Sequence, residues 1–161
     1  MPSLSFTDQE SWYTGLAGVV VSAGALITDP AGRALLVKPN YRDYWSLPGG
    51  ICEHGEPPHA GCAREVAEEV GLTLDVGRLL AVDWSMPYGN AARPSMHFVF
   101  DGGSLADGSH IVLQQEELDG WRFTAGSELA QFLPPHTLPR VSGAISARAN
   151  GTVCYLVLPA G

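Results

Sequence analysis

A chain of 161 residues with an apolar fraction of 45% can bury one proper hydrophobic core. Its formal charge of -8, with only nine Lys and Arg, would repel long polyanions and argues against binding along a nucleic-acid backbone. Leu16 to Ile27, broken by Gly and Ser and lacking a basic flank, is neither a membrane span nor a signal peptide. The three cysteines Cys52, Cys62 and Cys154 lack disulfide or zinc spacing, so a cytoplasmic protein that neither enters nor binds a membrane is expected.

Residues 1–15 are poorly periodic and read as an N-terminal extension, whose Phe6, Trp12 and Tyr13 are expected to pack on the domain rather than face a partner. Ala17 to Thr28 is rich in Val, Ile and Leu. Asp29-Pro30-Ala31-Gly32 then supplies turn residues, and Arg33 to Lys38 is strand-like again, which predicts a β-hairpin. After a loop through Pro39 and Tyr44, Trp45 to Gly50 places paired glycines where backbone can approach a ligand. A helix is predicted over Pro58 to Val70, with Ala60, Ala63, Val66, Ala67 and Val70 as its apolar stripe, Gly71 as its cap and an acidic opposite face.

Beyond it, Leu79 to Trp84, Met96 to Phe100, Trp121 to Thr124 and Val153 to Leu158 read as strands. Glu128 to Phe132 and Val141 to Ala149 read as helices. Strands mixed with helices in this order predict an α/β layered domain around a mixed sheet, residues 1–161 forming a single domain without repeats or a linker.

Glu65, Glu68 and Glu69 stand at i, i+3 and i+4 of the predicted helix, so their carboxylates share a face. Like charges at those spacings cost an isolated helix on the order of 0.2 to 0.5 kcal/mol per pair, which calls for free hydration or a compensating cation. A solvated acidic face is the ordinary reading of such a triplet. A hard divalent ion such as Mg²⁺, which favours oxygen ligands, is the chemical one.

The residues around the triplet decide between them. Gly50, Glu56, Arg64, Glu65, Val66, Glu68, Glu69, Gly71 and Leu72 fit G-x5-E-x7-R-E-U-x-E-E-x-G-U, U being aliphatic, at every specified position, so the chain resembles the Nudix hydrolase family. A looser likeness runs from the Ala17 strand through Trp45 to Gly49 and on to Trp121 and Leu129.

The resemblance implies an α/β/α sandwich around a mixed β-sheet, with a loop–helix–loop that holds one or more Mg²⁺, or Mn²⁺ in its place, on a pyrophosphate. It makes Glu68 and Glu69 metal ligands, Glu65 a further ligand or the base for water, and the Gly49 or Gly50 carbonyl an additional ligand, with Glu69 and Glu65 ranked first. It pairs Glu56 with Arg64 to brace the loop, and it draws one more acid from outside the motif, for which Glu116 and Glu117 are the candidates.

Arg42, Tyr44, Trp45 and Arg93 are candidate substrate contacts, because an aromatic can stack on a base and Arg can fork onto phosphate. Tyr41, Trp84 and Tyr88 are further possibilities, although packing is the ordinary role of any one aromatic. The scattered histidines give no zinc spacing, and His54 reads as an exposed loop residue. Neither a G-x-S-x-G elbow nor a Gly-Lys-Ser/Thr phosphate loop is present.

The expected function is hydrolysis of the pyrophosphate bond in a nucleoside diphosphate linked to another moiety. The alternatives are a nucleoside triphosphate pyrophosphatase, including one for oxidised nucleotides, and a non-catalytic ligand-binding module on the same fold. The expected partner is a small phosphorylated substrate, and the family resemblance also allows a homodimer.

Overall fold

Alternation along one strand sets the layers of the molecule. We describe residues 9–87, 89–106 and 110–159 of a computed structural model, with backbone alone for Gln9 and Glu10. In β1 (Val20–Thr28), Ala23, Ala25 and Ile27 point to one side of the sheet, where they meet Cys62, Val66 and Val70 of a helix. Leu26 points to the other side, against Ala144 and Ala147 of a second helix. The next strand, β2 (Ala34–Pro39), repeats the pattern: Leu35 and Val37 join the first cluster, while Ala34 and Leu36 serve the opposite face. With both faces buried, the two strands read as continuous apolar runs.

Among the described residues, seven strands form one mixed sheet. After β3 (Gly49–Ile51) come the first long helix (Pro58–Val70), β4 (Leu79–Ser85), β5 (Ser95–Ser104), β6 (Leu118–Thr124), the second long helix (Leu138–Asn150) and β7 (Cys154–Leu158). The spatial order is β6-β2-β1-β5-β4-β7. The β1 and β5 strands run parallel, as do β4 and β7, and the remaining pairs are antiparallel. This is the α/β/α sandwich expected from the sequence. Counting the short N-terminal helix α1 (Gln9–Thr14), the long helices are α2 and α3.

The hairpin turn is as predicted: Gly32 takes φ 78° and its N–H donates to Asp29 O at 2.9 Å. So is α2, which starts behind Pro57 and ends at Gly71, φ 70°, whose N–H donates to Ala67 O.

Several expectations need correction. Residues 9–14 are helical, and Trp12 and Tyr13 stack edge-on against each other while staying 43% and 65% exposed, so they do not pack into the core; Phe6 lies outside the described residues. Gly49 to Ile51 form a strand, because Gly49 and Gly50 pair with Gly24 and Ala23 of β1. Residues 126–131 form a 3₁₀ helix, so the helix read at Glu128 to Phe132 begins two residues earlier and ends one earlier. The β5 and β6 strands are longer than predicted, since ladder pairing carries their polar ends.

The most consequential correction concerns the faces of α2. Cys62, Val66, Glu69 and Val70 are buried, whereas Ala67 is exposed. The inward stripe therefore includes Glu69, with Glu65 beside it, and the acidic residues do not all lie opposite the apolar ones.

Candidate active site

Two strands share the flank of β1. β2 pairs with its end at Thr28, while β3 pairs along Ser22 to Gly24. Glu69 meets the backbone where β3 begins: the Gly49 N–H donates to its Oε2 at 2.8 Å. Glycine is required here for two reasons. Gly49 has φ 149°, and a Cβ on it would strike the backbone of Gly24 and the Ala23 carbonyl; a Cβ on Gly50 would run into the Glu65 carboxylate. The paired glycines thus let the carboxylates of α2 lie directly against backbone.

The motif's loop is braced by one cation. Arg64 donates from Nε to Glu56 Oε1 at 2.9 Å and from Nη2 to Glu56 Oε2 at 3.0 Å, a bidentate pair. Glu56 Oε2 also accepts the Glu53 N–H at 2.9 Å. The Arg64 hydrogen bonds, and then the Glu53 N–H, hold the Glu56 carboxyl down at about 2. Arg64 Nη1 reaches Glu65 Oε1 at 2.9 Å and Glu68 Oε2 at 3.2 Å, so this one guanidinium spans three acids.

Glu65, Glu69 and Glu117 line a cleft of about 520 Å³, together with Gly49 and Gly50. Burial first, then the charges of Glu65, Glu117 and Glu68, push the Glu69 carboxyl up to about 7 against the lowering effect of the Gly49 N–H. Burial also raises the Glu65 carboxyl, with Arg64 opposing. Glu68 differs: its side chain is 52% exposed and it does not line the cleft.

Of the two outside candidates, both exposed, Glu117 lines the cleft and acts electrostatically on both Glu65 and Glu69, whereas Glu116 is absent from the lining. The turn carrying Glu117 is pinned by Asn40, whose N–H donates to Glu117 O and whose Nδ2 donates to Glu116 O. Gln114 N–H donates to Glu69 O at the end of α2, which ties that turn to the helix. Among the described residues, no three His, Cys, Asp or Glu side chains already converge as a metal cage. Arg64 draws Glu65 and Glu68 to itself instead.

The candidate substrate contacts divide. Arg42, Arg93 and Tyr41 line the cleft. Trp45 does not: it packs edge-on against Phe132 in the cluster around Leu36, because a large ring fills the space behind β2. Tyr44 also lies off the cleft wall, edge-on to His136 and facing Arg42. Trp84 is half-buried in β4, His54 is an exposed loop residue, and Tyr88 lies outside the described residues.

The sequence reading missed Ser22, Ser95, His97 and Arg140, which also line the cleft. They sit on three elements far apart in the chain. The one signal available was that Ser22, Ser95 and His97 are polar interruptions of apolar strands.

Comparison with known proteins places this geometry. The NUDIX domain family model matches residues 18–143. The chain is 37% identical over 77 residues to the putative ADP-ribose pyrophosphatase YjhB of Bacillus subtilis, covering 47% of this chain and 37% of that protein. It is 36% identical over 80 residues to a MutT-like protein of Streptomyces ambofaciens, covering 50% of this chain and 49% of that one. The chain thus spans less than half the length of these curated relatives. The crystal structure of the MutT protein from Methanosarcina mazei Go1 matches the fold with TM-score 0.67 at 24% identity, over 83% of this chain and 96% of that one. With the family model matching well over half of its length, and the complete motif folded around a buried glutamate, the chain belongs to the Nudix hydrolase family.

Proposed function

We propose that the protein is a divalent-metal-dependent hydrolase that cleaves the pyrophosphate bond of a nucleoside diphosphate linked to another moiety. The observation that carries this reading is Glu69: a carboxylate 6% exposed, facing a cleft, with its carboxyl pushed up to about 7 by burial and neighbouring acids. Burying a carboxylate among like charges is unfavourable unless something compensates it. The Bacillus subtilis relative, named a putative ADP-ribose pyrophosphatase, favours this substrate class.

The donor set suits Mg²⁺, or Mn²⁺ in its place. Glu65, Glu69 and Glu117 supply hard oxygens around the cleft, Glu68 stands one turn from Glu65, and Gly49 and Gly50 bring backbone carbonyls alongside. When bound, the ion would neutralise phosphate oxygens and lower the pKa of water.

The chain's own residues do the rest. Gly49 and Gly50 let Glu65 and Glu69 lie against the backbone beside the cleft, and Arg64 holds Glu65 in place through Oε1. Glu65, held beside the cleft by Arg64, is the carboxylate available to accept the proton of the attacking water, with Glu69 a metal ligand. Water then attacks one phosphorus and the other phosphate leaves. We take residues 1–161 as one domain, because all seven strands belong to one sheet. Three free thiols suit a cytoplasmic setting, and exposed Trp12 and Tyr13 are available to a homodimer contact. Among the described residues no helix is long and apolar enough to cross a membrane.

The test is turnover of a panel that includes ADP-ribose, nucleotide sugars, dinucleoside polyphosphates and nucleoside triphosphates, with products identified by mass spectrometry. Wild type with Mg²⁺ should convert the diphosphate-linked class and stop in chelator. Glu69→Gln should lose on the order of 10³-fold in kcat while staying folded. Wild-type rates in that variant, or full turnover in chelator, would refute the assignment. Binding without any turnover would favour a ligand-binding module.

A further inference from the structure

The cleft has a second end of opposite character. The chain carries only nine Lys and Arg, yet three of them, Arg42, Arg93 and Arg140, line this one cleft. Arg140 stands in the first turn of α3 and is held from behind by Asp83 of β4, which is 0% exposed. The Asp83 carboxylate accepts from Arg140 Nε and, at 3.1 Å, from Nη2, and Ser85 Oγ donates to the same carboxylate at 2.8 Å. Arg140 Nη1 has no hydrogen-bond partner among the described residues.

Arg93 is the least committed of the three, with no ion pair or hydrogen bond to any described residue. It lies over Gly18, where a Cβ would come within 2.9 Å of its Nη1, so glycine makes room for the guanidinium. Arg42 is stationed 5.1 Å and 5.6 Å over the rings of Tyr41 and Tyr44, contacts that leave its N–H edge open.

His97, hydrogen-bonded to Ser22 and, at 3.1 Å, to Ser95, is pushed down to about 4 by burial first and Arg140 next. His136 and Arg42 act in the same direction, and only Asp83 opposes. His97 is therefore a neutral polar group on this wall at physiological pH.

Register sets the anchor of Arg140 apart from Glu69. Gly24 pairs with Gly49, the residue bonded to Glu69, while Asp83 lies two strands from Gly24 and two residues along, opposite His97. At strand spacings of ~4.8 Å and a rise of ~3.3 Å per residue, the backbone of Asp83 is roughly 12 Å from Gly24.

We infer that Arg140, set by Asp83, together with Arg93 and Arg42 forms an anion subsite for a phosphomonoester or carboxylate that the substrate carries beyond its scissile pyrophosphate. This rests on the pyrophosphohydrolase reading and narrows it to diphosphate-linked substrates with a further anionic group. Guanidinium forks suit both phosphate and carboxylate, which is why the chemistry is named at that level.

The experiment compares matched pairs that differ by one charge: ADP-ribose against its 2′-phosphate, and a nucleoside diphosphate hexose against the corresponding hexuronate. Hydrolysis is followed in Mg²⁺ and equilibrium binding by calorimetry in Ca²⁺. The anionic member of at least one pair should be favoured about tenfold in kcat/KM or Kd, the size of one charge-assisted hydrogen bond, and the pair that responds names the group. The double variant Arg42→Gln/Arg93→Gln should collapse that ratio, and Arg140→Lys should reduce it if the variant folds.

Equal treatment of both members in both pairs, or an unchanged ratio in the double variant, would overturn the subsite while leaving the hydrolase reading intact. Absence of turnover on every substrate would instead sink the hydrolase reading, and the calorimetric ratio would still decide the subsite.

Discussion

Glu69 and Asp83 are both carboxylates withdrawn from water, 6% and 0% exposed, but their surroundings are opposite. Asp83 is matched by a guanidinium fork and a serine hydroxyl. Glu69 has one backbone N–H and three acidic neighbours that disfavour its charge. A buried charge whose partners are all supplied by the fold holds structure together. One whose partners the fold withholds is kept for something that arrives later. The contrast teaches which of two equally buried acids to assign to chemistry, and it does so without reference to the motif.

Removing each acid should therefore have opposite effects on stability. Asp83→Ala leaves Arg140 uncompensated in the wall and should destabilise the fold by about 3 to 5 kcal/mol, measured by urea unfolding. Glu69→Gln should leave the metal-free protein at least as stable as wild type at pH 8. Similar losses in both variants would erase the distinction.

The pH dependence sharpens it further. The Glu69 carboxyl titrates near 7 in the fold against an ordinary value of 4.5, so the folded state retains a proton that the unfolded chain releases. Its contribution is fully present below pH 4.5 and is lost as pH rises through about 7, by on the order of 3 kcal/mol. Metal-free wild type should thus lose thermal stability over that window, and Glu69→Gln should flatten the curve. A wild-type profile no different from that of the variant would contradict the burial argument.

The smallest expected effect belongs to the bracing pair. Glu56→Gln removes one charge from the bidentate contact with Arg64 but keeps an amide that can still accept a hydrogen bond. Tm should fall by a few degrees, with a larger loss in kcat because Arg64 also holds Glu65 and Glu68. A change in Tm alone would restrict Arg64 to a structural role.

Much of this molecule was legible from local pattern. The limits of α2, its proline start and glycine cap and the hairpin turn at Asp29 to Gly32 depend on residues close in sequence, where spacing alone fixes geometry, and the bracing pair of Glu56 and Arg64 was implied by the family resemblance. The β3 strand was hidden because it is only three residues long, two of them glycines with little strand propensity, and their pairing partners are more than twenty positions earlier in β1. Trp45 could not be told from a substrate contact, since an aromatic has the same composition signal in a core as in a cleft.

By itself, then, the sequence determined the family motif, an α/β layered class around a mixed sheet and the grouping of Glu65, Glu68 and Glu69 on one helix, because each follows from local pattern, while the α/β/α sandwich was what the family resemblance implied. Only the tertiary structure decided that Glu69 turns inward while Glu68 stays in water, that Glu117 and not Glu116 lines the cleft, and that Arg140 is set by Asp83 across β4. Those outcomes depend on which faces of distant elements are pressed together. Burial and field at a site come from everything packed around it, whereas sequence spacing fixes only the residues on one element.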